Sequence, residues 1–474
     1  MKLKDLIPVN DAALQETEIF GITCNSADVK KGYAFICIKG TRVDGHTFAE
    51  SAIQSGAAVI ISERDLGYKN QVIVEDTHAA FATMSANWFG NPADKLKLIG
   101  VTGTNGKTSV VYMLKAILEK AGEKTGIIGT IQNMIGDKII PAKNTTPSAY
   151  ELNSLFSLML GAGCTYAIME VSSHALDQKR VYNLNFDVAA FTNLTQDHLD
   201  YHITMDNYFE AKQKLFGMCK TAVVNFDDKY AEQILGSTDA KTVTYSAISD
   251  ASTYSAKDIT YSPDSVKYQM VGYNLISRVK VGTGGKFTVY NSMCAAACAL
   301  ELGIDISVIS AALCEMHGVK GRAEVVPTGR DFTVIIDYAH TPDGLENILG
   351  TFKEYRDHRL VAVFGCGGDR DRQKRPIMGE IAARLADFVI LTSDNPRSED
   401  PDKIIAEIEE GIKGTKTKYK IIENRVEAIK FAIASAVKND IIVLAGKGHE
   451  TYQILNTGTI HLDEREVVAE ALGM

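Results

Sequence analysis

No stretch of this 474-residue chain holds the roughly 18 consecutive apolar residues of a membrane span. Its apolar runs, such as Ala57 to Ser62 and Ile441 to Ala445, have the length of strands. Charged residues at Met1-Lys2-Leu3-Lys4-Asp5 are followed by no apolar segment, so no secretory signal is expected. The eight cysteines form no CxxC pair with zinc spacing, and no disulfides are expected. Cys294 and Cys298, four apart in an Ala-rich stretch, read as two small buried residues on one helix face rather than a metal pair. Repeats, low-complexity tracts and blocks of like charge are missing. Basic residues are outnumbered, 50 Lys+Arg against 59 Asp+Glu, which removes the whole-chain electrostatic case for nucleic acid. A cytoplasmic protein with no nucleic-acid partner and no membrane span is expected.

What is present is ordinary for a globular chain: 45% apolar and 23% charged residues. At about 150 residues per domain the length suggests about three domains. Residues 1–94 show short apolar runs between turns, with strands over Tyr33 to Ile38, Ala57 to Ser62 and Gln71 to Val74. Asn91-Pro92-Ala93-Asp94 is a breaker suited to a linker. Residues 95–325 start with the strand Leu96 to Val101 and alternate further strands with helices. Their last part, Thr242 to Val289, has the alternation of an antiparallel annex, and a helix is expected over Ser292 to Leu302. In residues 326–474 the strands Phe332 to Asp337, Leu360 to Phe364, Phe388 to Thr392 and Ile441 to Ala445 alternate with helical patterns. Near-continuous apolar strands between helices indicate a parallel sheet covered on both faces. The fold class is therefore α/β.

Gly103-Thr104-Asn105-Gly106-Lys107-Thr108 follows a strand and precedes a helix with Val110, Val111, Leu114, Ile117 and Leu118 on one face. This is the context of a phosphate loop, although the first glycine stands only three residues before the second. Backbone N–H groups and the helix N-terminus would cradle phosphate. Lys107 would reach the β/γ-phosphates and Thr108 would ligate Mg²⁺. Glu170, at the end of an apolar strand, is a second candidate Mg²⁺ ligand.

Five segments in order, Thr102 to Thr108 (TGTNGKT), Glu170 to His174 (EVSSH), Thr192 to His202 (TNLTQDHLDYH), Asp337 to Asp343 (DYAHTPD) and Gly446 to Glu450 (GKGHE), resemble the Mur ligases. These are ATP-dependent amide ligases that build the peptide stem of bacterial cell-wall precursors. The resemblance implies three domains: a small α/β N-terminal domain for the UDP-sugar, a central P-loop-type mostly parallel sheet for ATP, and a C-terminal Rossmann-like doubly wound sheet for the amino acid. It implies ATP as substrate, Mg²⁺ as cofactor, an acyl-phosphate intermediate and a monomer. ATP would be contacted from both sides of an interdomain cleft.

The resemblance also assigns residues. Lys107, Glu170, His198 and Lys212 would be catalytic, with Thr108, Glu170 and His198 holding metal and Lys212 carbamylated. Read alone, His198 is a structural histidine, and nothing separates Lys212 from Lys214. Gly103, Thr104, Asn105, Gly106, Lys107, Thr108, Ser109, Asn291, Arg322 and Asp337 would contact ATP; read alone, Asn291 is a helix cap before Ser292. Ser26, Thr41, Arg42, Val43, Asn144, Thr145, Thr146, Ser172, Gln178 and Arg180 would hold the UDP-sugar-peptide. Arg370, Asp394, Asn395, Pro396, Arg397, Gly446 and Glu450 would form the amino-acid pocket. Asp394 to Arg397 (DNPR) resembles members that take meso-2,6-diaminopimelate, because a guanidinium reads the extra carboxylate that lysine lacks. Glu450 would pair with the distal ammonium. Transfer of L-lysine or another amino acid, or a P-loop ATPase switch, are the alternatives.

Overall fold

The computed structural model describes residues 1–40, 43–262, 265–316 and 318–473. It shows a mixed α/β chain whose sheets are largely parallel. The chain divides into two compact units, Met1–Thr102 with Gly122–Ala189 and Ala211–Thr221, and Gly103–Ala121 with Ala190–Glu210 and Ala222–Met474.

The first unit begins with a four-stranded parallel sheet, Gly21–Thr23, Tyr33–Ile36, Val59–Ser62 and Gln71–Ile73. Successive side chains point to opposite faces. Ala34, Ile36, Val59 and Ile61 meet Phe81 and Met84 of the helix Thr77–Trp88, while Phe35 and Ile60 meet Ala49 and Ala52 of Ala49–Gln54. Both faces are covered, which is why these strands read as unbroken apolar runs. A second sheet sets Lys97–Thr102 parallel to Tyr166–Glu170, and Tyr166–Glu170 parallel to Thr125–Ile128. Asn133–Ile135 and Lys138–Ile140 extend it antiparallel.

In the second unit the helix Lys107–Lys120 packs against Lys286–Glu301 and Ile306–Glu315. The annex expected to run to Val289 ends sooner, at the strand Leu275–Val281, and the helix begins at Lys286 rather than Ser292. Thr288 and Val289 are buried on that helix as small core residues, so the β-branched run there is helical under tertiary packing. Cys294 and Cys298 are buried on the same helix.

The C-terminal sheet has the order Glu324–Val326, Thr333–Asp337, Ile441–Ala445, Leu360–Phe364, Phe388–Leu391, Lys418–Ile421. All neighbours are parallel except the first pair. Ile335, Ala362, Phe364 and Val443 face the helices Pro342–Tyr355, Lys374–Leu385 and Pro401–Glu409; Ile336, Val363, Ile442 and Leu444 face Arg425–Ala434 and Glu464–Leu472. This is a doubly wound sheet, and the chain skips over Ile441–Ala445 in passing from Thr333–Asp337 to Leu360–Phe364. Ligands of such sheets bind at the C-terminal strand ends, beside that skip. The edge strand Lys418–Ile421, not among the expected strands, is four residues long and exposed throughout.

At the opposite ends of the strands, buried Asp440 joins the starts of Leu360–Phe364 and Ile441–Ala445. Its carboxylate accepts from Arg359 Nε (3.1 Å), Arg359 Nη2 (2.5 Å) and the Val437 N–H (2.9 Å), and pairs with His358 Nδ1 (2.6 Å). Burial opposes the charged form, but the Arg359 and His358 hydrogen bonds outweigh it and lower the pKa to about 2. The folded-state value lies below the unfolded one, so the stabilisation is present above the unfolded pKa and is lost as pH falls towards about 2. Asp440→Asn should cost about 1–2 kcal/mol at neutral pH after allowance for the half-exposed Arg359. Urea unfolding of both proteins between pH 7 and 2 checks this: the gap should close only below about pH 4. A gap independent of pH would refute it.

Candidate active site

Gly103 (φ 144°) and Gly106 (φ 87°) take backbone angles that favour glycine. A Cβ on Gly103 would strike Thr192 Oγ1, and one on Gly106 would strike Asn291 Oδ1. The loop is stitched to the segment after residue 191. Thr104 N donates to Asn193 O and Asn105 N to Asn193 Oδ1, both at 2.9 Å, while Thr192 Oγ1 donates to Asn105 O at 2.6 Å. Thr195 N donates to Thr104 Oγ1 at 3.0 Å. Lys107 Nζ folds over the carbonyls of Gly103 and Thr104, both at 2.8 Å. Thr108, buried in the first helical turn, accepts from Arg322 Nη2 at 3.0 Å. Ser109, Met113, Phe287, Thr288, Asn291 and Arg322 line one cleft beside this turn. Asn291 is buried inside the helix Lys286–Glu301, so it does not cap Ser292; its amide oxygen reaches Gly106 instead.

Arg322 also stacks over Tyr338, 4.5 Å from the ring centroid, and Tyr338 touches His449 at 4.9 Å. Asp337 accepts from Ala323 N (2.6 Å) and Ala339 N (2.8 Å); burial raises its pKa, against the pull of Arg322. Burial and the Arg322 charge push His449 down to about 3, so its ring is neutral at physiological pH. Asn105 Nδ2 donates to Asp343 Oδ2 at 2.5 Å, joining the phosphate loop to the first turn of Pro342–Tyr355. His198 has φ 54° and sits next to Asp197, whose Oδ1 accepts the His198 N–H at 2.8 Å. Burial works against the charge on Asp197, but His198, His340 and Lys374 together hold its carboxyl well below the usual range. Lys374 is itself buried and donates to His340 O at 2.9 Å. Asp197, Asp343 and Lys374 were not among the expected site residues. For Lys374 the readable signal was its place at the start of the helix that follows the Gly365-Cys366-Gly367-Gly368 turn.

The amino-acid pocket residues gather at the C-terminal ends of Phe388–Leu391 and Ile441–Ala445. Asp394, Asn395 and Pro396 are buried. Arg397 has φ 53°, and its Nη1 donates to Gly368 O at 2.7 Å. Burial and the like charge of Arg370 lower its pKa. Two cations thus stand together above the Gly367-Gly368 turn. Buried Lys447 donates to Asn395 Oδ1 and Glu450 Oε2, both at 3.0 Å, and Asn395 Nδ2 donates to Glu450 Oε2 at 2.9 Å. In this structure Glu450 therefore pairs with Lys447. Gly446 (φ 115°) donates its N–H to Asp337 O at 3.0 Å.

In the first unit, Glu170 faces Val101 across the parallel ladder, at the end of the strand leading to the phosphate loop. Its two carboxylate oxygens accept from Thr130 N and Thr130 Oγ1, both at 2.9 Å. Around it lie several expected sugar-peptide residues. Thr145 Oγ1 is 3.0 Å from Thr130 Oγ1. Thr146 Oγ1 donates to Glu170 O (2.9 Å) and accepts from Ser172 N (3.0 Å). Arg180 donates to Thr146 O (2.7 Å) and Gln178 Oε1 (2.6 Å). Asn144 is exposed and makes no part of this set. Ser26 opens the short turn Ser26–Asp28, Val43 is exposed, and Thr41 and Arg42 lie outside the described residues. Lys212 is 2% exposed on the helix Met205–Gln213, whereas Lys214 is solvated and reaches Asp177 at 3.3 Å. Burial separates the two lysines that sequence left equal.

Among the described residues no helix is long and apolar enough to cross a membrane. Family models described as "Mur ligase family, catalytic domain", "Mur ligase middle domain" and "Mur ligase, glutamate ligase domain" match residues 18–87, 101–299 and 321–448. A UDP-N-acetylmuramoyl-L-alanyl-D-glutamate–2,6-diaminopimelate ligase from Caldanaerobacter subterraneus subsp. tengcongensis is 51% identical over 96% of this chain and 95% of its own. One from Clostridium acetobutylicum is 47% identical over 96% and 94%. A solved structure of a ligase of the same name superposes with a TM-score of 0.73 at 33% identity, over 100% of this chain and 99% of its own. A folylpolyglutamate synthase structure from Mycobacterium tuberculosis has a TM-score of 0.66 at 18% identity, over 84% and 95%, a likeness of fold. Identity of this extent over nearly the whole chain, with three family models matching its successive parts, means that the chain belongs to the Mur ligase family.

Proposed function

We propose that this enzyme adds meso-2,6-diaminopimelate to UDP-N-acetylmuramoyl-L-alanyl-D-glutamate with the hydrolytic energy of ATP, in peptidoglycan precursor synthesis. The reading rests above all on Arg397 and Arg370, two adjacent cations at a strand's C-terminal end where a second carboxylate would be read. The full-length relatives named for this reaction support it. Residues 1–94 would hold the uridine end, 95–325 ATP and 326–474 the amino acid, in a cytoplasmic monomer.

The chemistry has two steps. A substrate carboxylate oxygen attacks the γ-phosphorus, the bond to the β-phosphate oxygen breaks, and ADP leaves. The amine then attacks the acyl phosphate, inorganic phosphate leaves, and the amine nitrogen loses a proton as the amide forms. Phosphoryl transfer needs positioning and charge neutralisation. Lys107 would exchange the carbonyls of Gly103 and Thr104 for phosphate oxygens. Arg322 and the loop N–H groups supply further positive potential, and Asn291 and Asp337 would contact the nucleoside. Thr108 and Glu170 each offer the hard oxygen donor that Mg²⁺ takes, and His198 is the third candidate. Few protein donors suit a cation that binds mainly water and phosphate oxygens, and at Thr108, Glu170 and His198 it would supply neutralisation of charge on the phosphates. A carbamate on buried Lys212 would turn a cation into an anion there.

ATP turnover should require the muramoyl dipeptide, the amino acid and Mg²⁺ together, measured as phosphate release; full-rate hydrolysis without the muramoyl substrate would favour an ATPase switch. Lys107→Ala should abolish turnover while leaving the fold intact by circular dichroism. Lys212→Ala should lose most activity and regain part of it with added short carboxylates, since a free anion can replace the carbamate. Undiminished activity of that variant would remove the role.

Arg397→Ala removes one side of a cation–carboxylate pair, a change that costs about 2–5 kcal/mol. That is a loss of about 30-fold or more in kcat/KM for diaminopimelate. L-lysine, lacking the carboxylate, should be used poorly by the unmodified enzyme and be little affected by the substitution. Equal kcat/KM for both amino acids in the unmodified enzyme would overturn the specificity.

A further inference from the structure

A buried ion pair lies beneath the amino-acid pocket. Arg425 opens the helix Arg425–Ala434 and Glu464 opens Glu464–Leu472. Both side chains are 0% exposed, and Arg425 Nε donates to Glu464 Oε1 at 2.8 Å. Nη2 also meets Glu464 Oε1 at 2.7 Å, and the two Nη groups face two carbonyls. Nη2 donates to Ala445 O at 2.8 Å, and Nη1 lies 3.4 Å from Ser393 O. Ala445 immediately precedes Gly446, and Ser393 immediately precedes Asp394. The two strands are not neighbours, because Leu360–Phe364 runs between them. One planar group therefore links two strand ends that the ladder leaves unjoined. The spacing it spans is tight: a Cβ on Gly446 would press on Asp394 Oδ2.

Stability alone is a poor reason for this pair. A buried ion pair can often be replaced by apolar side chains without loss, because desolvation offsets the attraction. The fork geometry is what apolar residues, or the single point charge of lysine, cannot reproduce. From this geometry we infer that Arg425, oriented by Glu464, is a positioning residue for amino-acid selection: it fixes the distance between Asp394–Arg397 and Gly446–Glu450. The inference rests on the ligase reading above.

The test uses the full chain, with KM for the amino acid, ATP and the muramoyl dipeptide measured separately. Turnover of the unmodified enzyme reports on the ligase reading by itself, and the variants are then assayed with whichever amino acid it uses. The paired change Arg425→Met with Glu464→Met removes both charges and leaves neither orphaned. It should keep the melting temperature while raising the amino-acid KM about tenfold or more, with the other two KM values within about twofold. Arg425→Lys, which keeps a partner for Glu464, should show the same selective rise to a smaller extent. An unchanged amino-acid KM in the paired variant, or an equal rise in all three KM values, would overturn the proposal. Should the paired variant fail to fold, Arg425→Lys decides by the same criteria.

Discussion

The hydrogen bonds between the loop at Gly103–Thr108 and the segment Thr192–Thr195 are the constraint on which the nucleotide side depends. A phosphate loop needs its N–H groups free to point at a ligand, yet it must not collapse. Here the outer face of the loop is satisfied by Asn193 and Thr192, which bind the backbone of Thr104 and Asn105. The stitch admits only glycine at residue 103, since any Cβ meets Thr192. The same segment continues directly into Asp197 and His198, so one set of bonds registers the phosphate loop against the acidic turn. Asp343 adds a tie from the start of Pro342–Tyr355 through Asn105.

Charge is distributed to match. The chain carries a net charge of -9, yet Arg322, Arg370, Lys374, Arg397, Arg425 and Lys447 stand at or beneath the C-terminal ends of one sheet. Acids are interleaved with them, Glu464 paired with Arg425 and Glu450 with Lys447, while Asp440 is a buried acid at the strands' starts. Desolvation makes these local cations matter more than the overall sum, because screening is weak where water is excluded. On the proposed reading, the phosphates and carboxylates of the substrates would meet Arg322, Arg370 and Arg397 there.

Much of this was legible before any coordinates. Leu360–Phe364 and Ile441–Ala445 fall where their apolar runs fall, since a strand buried on both faces can hold little else. Asp400 caps the helix Pro401–Glu409 by accepting the Asp402 N–H at 3.0 Å, with Pro401 at the first helical position, a pairing that is readable from residue type alone. Other features depend on tertiary surroundings that a one-dimensional pattern does not hold. Asn291 looked like a cap because turn-forming polar residues usually are, but its helix starts five residues earlier and turns it towards Gly106. Lys212 and Lys214 differ only in burial, a property of the packed helix. Lys418–Ile421 pairs on one edge and does alternate Lys-Tyr-Lys-Ile, but four residues exposed on both faces are too short a run to distinguish from a polar turn. Asp197 and Lys374 acquire their electrostatic importance from each other and from His340, residues far apart along the chain.

The fold itself is shared with proteins of 18–21% identity whose names differ, among them a folylpolyglutamate synthase and ligases of the MurF name. Layers of helix and sheet therefore do not carry the choice of substrate. What remains is a handful of residues after the last buried position of each strand: Asp337 after Ile336, Asp394–Arg397 after Leu391, Gly446–Glu450 after Ala445. These positions inherit accurate placement from the rigid strands and are free of the requirement to be apolar. A charge there costs desolvation whether or not a ligand is present, as the lowered pKa of Arg397 records. That cost is recovered only when a ligand of opposite charge arrives in the right place. On the proposed reading, specificity in such a frame would follow from Arg370 and Arg397 standing together at the strand ends, with Arg425 and Glu464 beneath holding those ends at a fixed spacing.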